Sequence, residues 1–390
     1  MIMNMKFIIY NDLINFIKNL YPNNYPVQLH APMFSGNEKK YLNECIDTTF
    51  VSYVGNFVTQ FEEMTASYTG SRYAVAVVNG TAALQIALEL SGIMKGDEVI
   101  TQPLTFVATA NAIKHAGADP IFIDVDLDTM GLSPKSLQIF LSNNTYMEGE
   151  YCINKVSGKK IRAVVPVHTF GHPCKIDEIV KIANKYKIKV IEDSAESLGS
   201  YYKGKHTGTF GLAGIISYNG NKTITTGGGG MIITDDEDFA KRAKHITTTG
   251  KLPHKYEFVH DVVAYNYRMT NVNAAIGVAQ MEYIDKILKN KKETFEIYKE
   301  FCAKEKMSIF VEPKYTKSNY WLNVIILNNR EERDAFLEYS NNNGVLTRPI
   351  WRLMNKLDNF KNCLCSDIKN AQYLEDVVVC LPSGVRQSNG

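Results

Sequence analysis

The sequence predicts an α/β fold: a mainly parallel sheet flanked by helices, followed by a smaller C-terminal α/β domain. Three observations predict it. From Tyr73 onward, short apolar runs alternate with amphipathic stretches of helical length, the order produced when helices cross over between parallel strands. The runs are continuous and rich in Val and Ile, such as YAVAVV (73–78) and RAVVPVH (162–168), as in strands covered on both faces. Beyond about residue 276 the alternation gives way to a new set of strands and helices. The expected organisation is an N-terminal helical extension over 1–27, a large domain over 28–275 and a small domain over 276–390.

Residues 12–20 carry Leu13, Phe16, Ile17 and Leu20 at helical spacing, so an amphipathic helix ends before Pro22. A second helix is expected within 36–49. Strand 73–78 runs into the turn Asn79-Gly80-Thr81 and a helix, AALQIALELSGI (82–93). The order repeats with strand 98–101, helix 106–116 and strand 120–124. The next helix, SPKSLQIFL (133–141), opens with a Ser133 cap and Pro134 at the first helical position, where a missing N–H costs nothing. The polar stretch 142–160 reads as an exposed excursion. Strand 162–168, helix 175–186 and strand 189–193 complete the alternation. Strands 211–218 and 231–235 flank a glycine-rich loop, NGNKTITTGGGG (219–230), and helices are expected over 236–248 and 271–300. The tail holds strand 321–327 and helix 330–342, which Gly344 stops.

Composition narrows the function. Of 390 residues, 45% are hydrophobic and 22% charged, which excludes a disordered chain. A net charge of +2, from 43 basic and 41 acidic residues, gives no global pull toward nucleic acid or anionic membrane. No apolar run approaches the roughly 20 residues that span a bilayer. The opening MIMNMKFIIY is interrupted by Asp12 with no cleavage site after it, so a cytoplasmic protein is expected. The seven cysteines include one C-x-C, Cys363 and Cys365, without a second pair at zinc spacing; they read as reduced thiols, with no metal site.

Four features carry candidate chemistry. Lys222 follows a buried strand and precedes four glycines, whose backbone can approach a ligand closely. A lysine held there could form a Schiff base with a carbonyl; on its own it reads as a surface lysine. Ser217, five residues upstream, could meet a phosphate. Asp193 ends the strand VIED, where α/β folds place ligands; standing alone it reads as a helix cap. Gly80-Thr81-Ala82 opens a helix directly after a strand, a phosphate site through free N–H groups and the helix dipole, or else a plain turn. Phe106, after the next strand, could stack on a flat ring or simply pack in the core. All four follow carboxyl ends of expected strands and so converge on one face. Lys222 and Asp193 together match what pyridoxal phosphate requires: an amine for the carbonyl and a carboxylate for the protonated ring nitrogen.

The blocks VNGTAALQIAL (78–88), DEVITQPLTFVATANAI (97–113), PIFIDVD (120–126), VVPVHTFGHPCKIDEI (164–179), VIEDSAESLGSYYKGKHTGTFG (190–211), SYNGNKTITTGGGGMI (217–232) and YNYRMTNVNAAIGVAQ (265–280) add a resemblance. Their order resembles the pyridoxal-phosphate-dependent sugar aminotransferases of the DegT/DnrJ/StrS family, which have the type I aspartate-aminotransferase fold. The likeness runs from about Val27 to Gly390. Within the family, HAPMFSGNEKKYLNECIDTTFVSYVG (30–55), the 142–160 excursion, SNYWLNVIIL (318–327) and TRPIWRLMNKL (347–357) resemble the LegC-type branch. That branch aminates a nucleotide-linked 4-keto-6-deoxy-N-acetylhexosamine for legionaminic-acid-type sugars.

The resemblance implies roles. Lys222 holds the cofactor and shuttles the proton; Asp193 pairs with the ring nitrogen; Gly80, Thr81, Ala82 and Ser217 hold the phosphate. Phe106 covers one ring face and Glu196 lies near the ring oxygen. Asn266 reaches the phosphate of a neighbouring subunit, which implies a homodimer with shared sites. His168, Tyr320, Trp321 and Arg348 are candidate sugar-nucleotide contacts. The amino donor is L-glutamate and the acceptor a nucleotide-linked (UDP or GDP) 4-keto sugar. Relatives with histidine at the lysine position are sugar dehydratases, so Lys222 favours transamination. A perosamine-type or other sugar aminotransferase, such a dehydratase and a non-enzymatic cofactor binder are the alternatives.

Overall fold

The computed structural model describes residues 2–386, with side chains from residue 8 onward. Met1 and 387–390, included in the expected terminal units, lie outside the described residues. In chain order the first half comprises α1 (Ile2–Leu20), α2 (Glu38–Asp47), α3 (Asn56–Thr69), β1 (Tyr73–Val77), α4 (Gly80–Leu90), β2 (Glu98–Thr101), α5 (Val107–His115), β3 (Asp119–Phe122), α6 (Pro134–Asn144), β4 (Thr145–Glu148), β5 (Tyr151–Asn154), β6 (Lys160–Val165), α7 (Ile176–Lys185) and β7 (Lys189–Asp193). The second half comprises β8 (Tyr201–Tyr202), β9 (Lys205–His206), β10 (Ala213–Ser217), β11 (Gly230–Thr234), α8 (Glu237–Thr247), α9 (Asn271–Met281), α10 (Ile284–Lys304), β12 (Ser308–Ile309), β13 (Thr316–Lys317), β14 (Asn323–Ile326), α11 (Arg330–Asn342), β15 (Arg348–Pro349), α12 (Lys369–Val377) and β16 (Val378–Leu381).

The main sheet has the order β1-β11-β10-β7-β6-β2-β3. Only β11 runs against the rest of this path. The carboxyl ends of β1, β2, β7 and β10 therefore open on one edge, as the sequence led one to expect. α4 is buried along nearly its whole length, packed with the strands, α5 and α8 in one apolar cluster. The Ser133 cap and Pro134 entry of α6 form as expected, with Ser133 Oγ accepting the Ser136 N–H at 3.3 Å.

A second sheet, β12-β14-β16-β15, is antiparallel throughout. α1 buries Leu13, Ile14 and Ile17 in a cluster with Ile325, Phe336, Val379 and Leu381 of this second layer. Val27 pairs with the chain after α11, its N–H on Gly344 O (2.8 Å) and its carbonyl accepting from Leu346 N (2.9 Å). The N-terminal segment thus belongs with C-terminal elements. A third sheet, β13-β8-β9, ties the two layers together.

Two expectations are corrected. The 142–160 stretch is largely exposed, as expected, but it is no excursion from the sheet: β4 and β5 form a hairpin, β5 pairs with the start of β6, and Cys152, Ile153 and Asn154 are buried. The expected helix 271–300 is two helices, α9 and α10, broken at Glu282 and Tyr283. No helix among the described residues is long and apolar enough to cross a membrane.

Candidate active site

The carboxyl ends of β1, β2, β7 and β10 surround a cavity of about 620 Å³. At one end lies the N-terminus of α4. Asn79 caps it, its Oδ1 accepting from Ala82 N at 2.8 Å, which leaves the Gly80 and Thr81 N–H groups over the cavity. Ser217 at the end of β10 stands beside them: a Cβ on Gly80 would meet Ser217 Cβ at 3.0 Å. The chains approach still closer at Gly230, where a Cβ would sit 2.4 Å from the Asn79 carbonyl. Two glycines thus bring a helix N-terminus and a serine hydroxyl to one point, a cradle for an anion.

Deeper in, Asp193 is buried with both oxygens engaged. Oδ2 accepts from Thr109 Oγ1 at 2.8 Å, and Oδ1 from Ala195 N at 3.1 Å. The Thr109 hydroxyl, in the first turn of α5, lies 2.9 Å from that of Thr105 just ahead of the helix, so a two-hydroxyl chain aims the carboxylate. Lys222 enters from the loop after β10. Its Nζ lies 3.5 Å from Glu196 Oε1 and 4.1 Å from the centre of the Trp321 ring. Trp321 is held by its own indole N–H on Asn221 O, 2.7 Å.

Glu196 is buried, and its Oε2 accepts the Phe170 N–H at 2.8 Å. Burial pushes its carboxyl up to about 7 against the opposing pull of Lys222, and the negative Asp193 adds to the rise. Phe170 keeps a left-handed backbone (φ 56°), a conformation costly for a non-glycine residue. The Glu196 carboxylate and the contacts of its ring with Trp321 and Trp351 hold it there.

Of the residues singled out from sequence, Gly80, Thr81, Phe106, Asp193, Glu196, Ser217, Lys222, Trp321 and Arg348 line this one cavity. Ala82 does not; its N–H is used by the Asn79 cap. Asn266 is exposed and lies outside this chain's cavity wall. His168 and Tyr320 also lie outside it, against the expectation of sugar contacts. His168 is fully buried, with Nε2 3.0 Å from Glu192 Oε2 and Nδ1 accepting the Cys174 N–H at 3.2 Å. Glu192 also accepts the N–H groups of Gly208, Phe210 and Gly211, so the pair locks the end of β7 and not a ligand. Tyr320 stacks on Phe295 and accepts from Lys292 Nζ.

Sequence reasoning missed several residues. Asn79 could have been found, since an asparagine just ahead of an expected helix is an N-cap signature. Thr109 and Asn319 had no such signal. The Asn319 amide donates to Glu196 O (2.8 Å) and Leu198 O (2.9 Å), and its Oδ1 accepts Trp321 N (2.8 Å). It stitches the Trp321 segment to the loop that carries Glu196.

These residues fit pyridoxal phosphate. The anion cradle suits its phosphate, the aimed and buried Asp193 suits a protonated ring nitrogen, and the Lys222 amine suits its aldehyde. The sequence profile of the DegT/DnrJ/EryC1/StrS aminotransferase family matches residues 32–389. The chain belongs to that family. It is a pyridoxal-phosphate-dependent sugar aminotransferase. GDP-perosamine synthase of Escherichia coli O157:H7 is 40% identical over 325 residues, covering 83% of this chain and 84% of that one. GDP-perosamine synthase of Vibrio cholerae is 37% identical over 327 residues, with 83% and 84% covered. Among solved structures, the aminotransferase PseC of Helicobacter pylori superposes with a TM-score of 0.82 at 22% identity, over 91% of this chain and 93% of that one. The likeness establishes the aminotransferase fold: a mostly parallel sheet flanked by helices.

Proposed function

We propose that this member of the family transfers the amino group of L-glutamate to the C4 ketone of a GDP-linked 4-keto-6-deoxyhexose. The observation that carries the chemistry is the meeting of Lys222, Asp193 and the α4 cradle in one cavity. The GDP linkage is supported by the relatives named GDP-perosamine synthase. Those names favour a perosamine-type sugar; the sequence blocks of the LegC-type branch favour an N-acetyl group on C2.

Bound pyridoxal phosphate supplies a carbonyl to carry the amino group and an electron sink for the carbon that loses its proton. The chain does the rest. Gly80 N–H, Thr81 N–H and the Ser217 hydroxyl hold the phosphate. Asp193 keeps the positive charge on the ring nitrogen. Lys222 Nζ takes the proton from the donor's α-carbon and delivers a proton at sugar C4. Glu196 is poised to share that proton, and the Trp321 ring shields Nζ from water. Donor and acceptor use this cavity in turn, which makes the kinetics ping-pong.

The same reading pairs two chains. Tyr256, Phe258 and Val263 are 78%, 79% and 98% exposed, and a second chain would cover them. Asn266, exposed a few residues later, is offered to the partner's phosphate site.

The test is a mass-spectrometric assay with L-glutamate and three acceptors: GDP-4-keto-6-deoxymannose, and 4-keto-6-deoxy-N-acetylglucosamine linked to GDP or to UDP. A GDP-linked sugar should gain an amine as 2-oxoglutarate appears. Conversion of the UDP sugar alone would overturn the nucleotide. Conversion of none, with glutamate still consumed by the loaded enzyme, would overturn the sugar.

A further inference from the structure

Trp321 comes from the second layer, just ahead of β14, yet the Lys222 amine of the large sheet's loop lies over its ring. Nζ is 4.1 Å from the ring centre and 3.5 Å from Glu196 Oε1. Among the described residues Nζ has no other hydrogen-bond, ion-pair or ring partner. One aromatic face and one carboxylate therefore hold the amine, whose side chain is only 13% exposed. The face of an aromatic ring carries negative charge and attracts a cation, most strongly where water is kept away. A neutral amine gains little from either neighbour.

The chain fixes that face in place. The indole N–H donates to Asn221 O at 2.7 Å, which fastens the ring to the residue before Lys222. Asn319 Oδ1 accepts the Trp321 N–H at 2.8 Å, and its amide donates to Thr223 Oγ1 at 3.2 Å and to Glu196 O at 2.8 Å. Trp321 is thus tied to both chain neighbours of Lys222 and to the residue that bears the carboxylate. Tyr320, directly before it, has a left-handed backbone (φ 49°), which is costly for a non-glycine residue. Its N–H on Ser318 Oγ (3.0 Å) and its ring stacked on Phe295 hold that conformation. The strain sits at the residue that aims the indole.

We propose that Trp321 and Glu196 form a resting place for the Lys222 ammonium during the half of the cycle in which the amino group is on the cofactor. The inference rests on the proposed function, in which Nζ is bonded to the cofactor in the pyridoxal form and free in the pyridoxamine form. In the donor half-reaction the donor's nitrogen replaces Nζ on the cofactor carbon. Two protons of the donor's ammonium pass to Nζ, which leaves as an ammonium itself. Nζ then carries the proton of the donor's α-carbon across to the cofactor carbon. Water releases 2-oxoglutarate, and the donor's nitrogen stays behind. A bonded Nζ shares its charge with the cofactor's ring, whereas a free ammonium presents the whole charge to Trp321. Trp321 therefore favours the pyridoxamine form over the pyridoxal form. It acts through Lys222, as a positioning residue.

The experiment is a spectroscopic titration of the loaded enzyme with mixtures of L-glutamate and 2-oxoglutarate. It is run at about pH 8, above the value near 7 to which burial raises the Glu196 carboxyl. The ratio of glutamate to 2-oxoglutarate that bleaches half of the yellow pyridoxal form gives an equilibrium constant, and a slow variant reaches the same endpoint as a fast one. Trp321→Leu should need a ratio about tenfold to thirtyfold higher than wild type. Trp321→Phe keeps an aromatic face and should shift less. An unchanged ratio in Trp321→Leu, or a lower one, would overturn the resting place.

A second measurement needs neither a donor nor a tryptophan variant that folds. The chain has two tryptophans, and the other, Trp351, packs on Phe170. An ammonium proton quenches the emission of an indole it touches, so cofactor-free Lys222→Met should fluoresce more brightly than cofactor-free wild type. Equal emission from the two would also overturn the proposal. Glutamate that fails to bleach even the wild type would mean that the donor is wrong, and the emission comparison would still decide for or against the resting place.

Discussion

Lys222, Asp193 and Glu196 set the chemistry, and each answers differently to substitution. Lys222→Ala removes the amine that moves the proton; turnover should fall at least about a thousandfold, measured as 2-oxoglutarate formed per enzyme. Asp193→Asn keeps the hydrogen bonds from Thr109 and Ala195 within reach but removes the charge opposite the ring nitrogen. Its rate should fall about a hundredfold or more while the fold is retained; wild-type rates would reduce Asp193 to a cap. Glu196 makes a pH prediction for the cofactor-free protein. Its carboxyl is raised from 4.5 to about 7 in the fold, so the folded state binds the extra proton between those values. That stabilisation is full below about pH 4.5 and is lost as the pH rises through about 7. Glu196→Gln cannot titrate, so its melting temperature should gain on wild type across that window in paired scans. Lys222, Asp193 and Ser217 were legible because strand ends and glycines flag them locally. Thr109 and Asn319 were not, because what matters about them is a contact with a residue distant in the chain. His168 misled for the opposite reason: its chemistry looked available, but Glu192 and the Cys174 N–H consume both ring nitrogens.

α4 separates stability from binding. Asn79→Ala removes the bond to the Ala82 N–H and should cost about 1 kcal/mol of stability, read by denaturant titration. Gly80→Ala places a methyl 3.0 Å from Ser217 Cβ and should push that side chain off the phosphate position. Cofactor affinity should drop about tenfold, which corresponds to roughly 1.4 kcal/mol, followed by spectroscopic titration. The parallel strands and their helices were readable because burial on both faces writes continuous apolar runs. The β4–β5 hairpin was not, because Tyr146, Met147 and Glu148 of its outer strand are exposed, and only Cys152 and Ile153 of the inner strand are apolar residues that record the burial. The break between α9 and α10 has no glycine or proline to announce it; Glu282 N–H on Val278 O and Tyr283 N–H on Gln280 O hold it instead.

Across the molecule, cavity and surface make one argument. The second layer reaches the cavity through Trp321, Arg348 and the His30 segment, and α1 is fastened to that same layer. Among the apolar surfaces the chain leaves uncovered is the 252–263 segment with its aromatic and Val side chains, next to exposed Asn266. In a two-fold dimer each site would take Lys222 from one chain and Asn266 from the other. Asn266→Asp sets a negative charge against the partner's phosphate position, and Lys222→Ala removes the amine in its own chain; each homodimer should be nearly inactive. Mixed, unfolded together and refolded, the two variants form a heterodimer in which one site has lost both groups and the other has regained both. Random pairing makes about half the dimers mixed, so about a quarter of all sites should work. Activity near that fraction, appearing only after exchange of subunits, is the expected result. No recovery in a mixture shown by sedimentation to contain dimers would mean that Asn266 serves no partner and that each chain completes its own site.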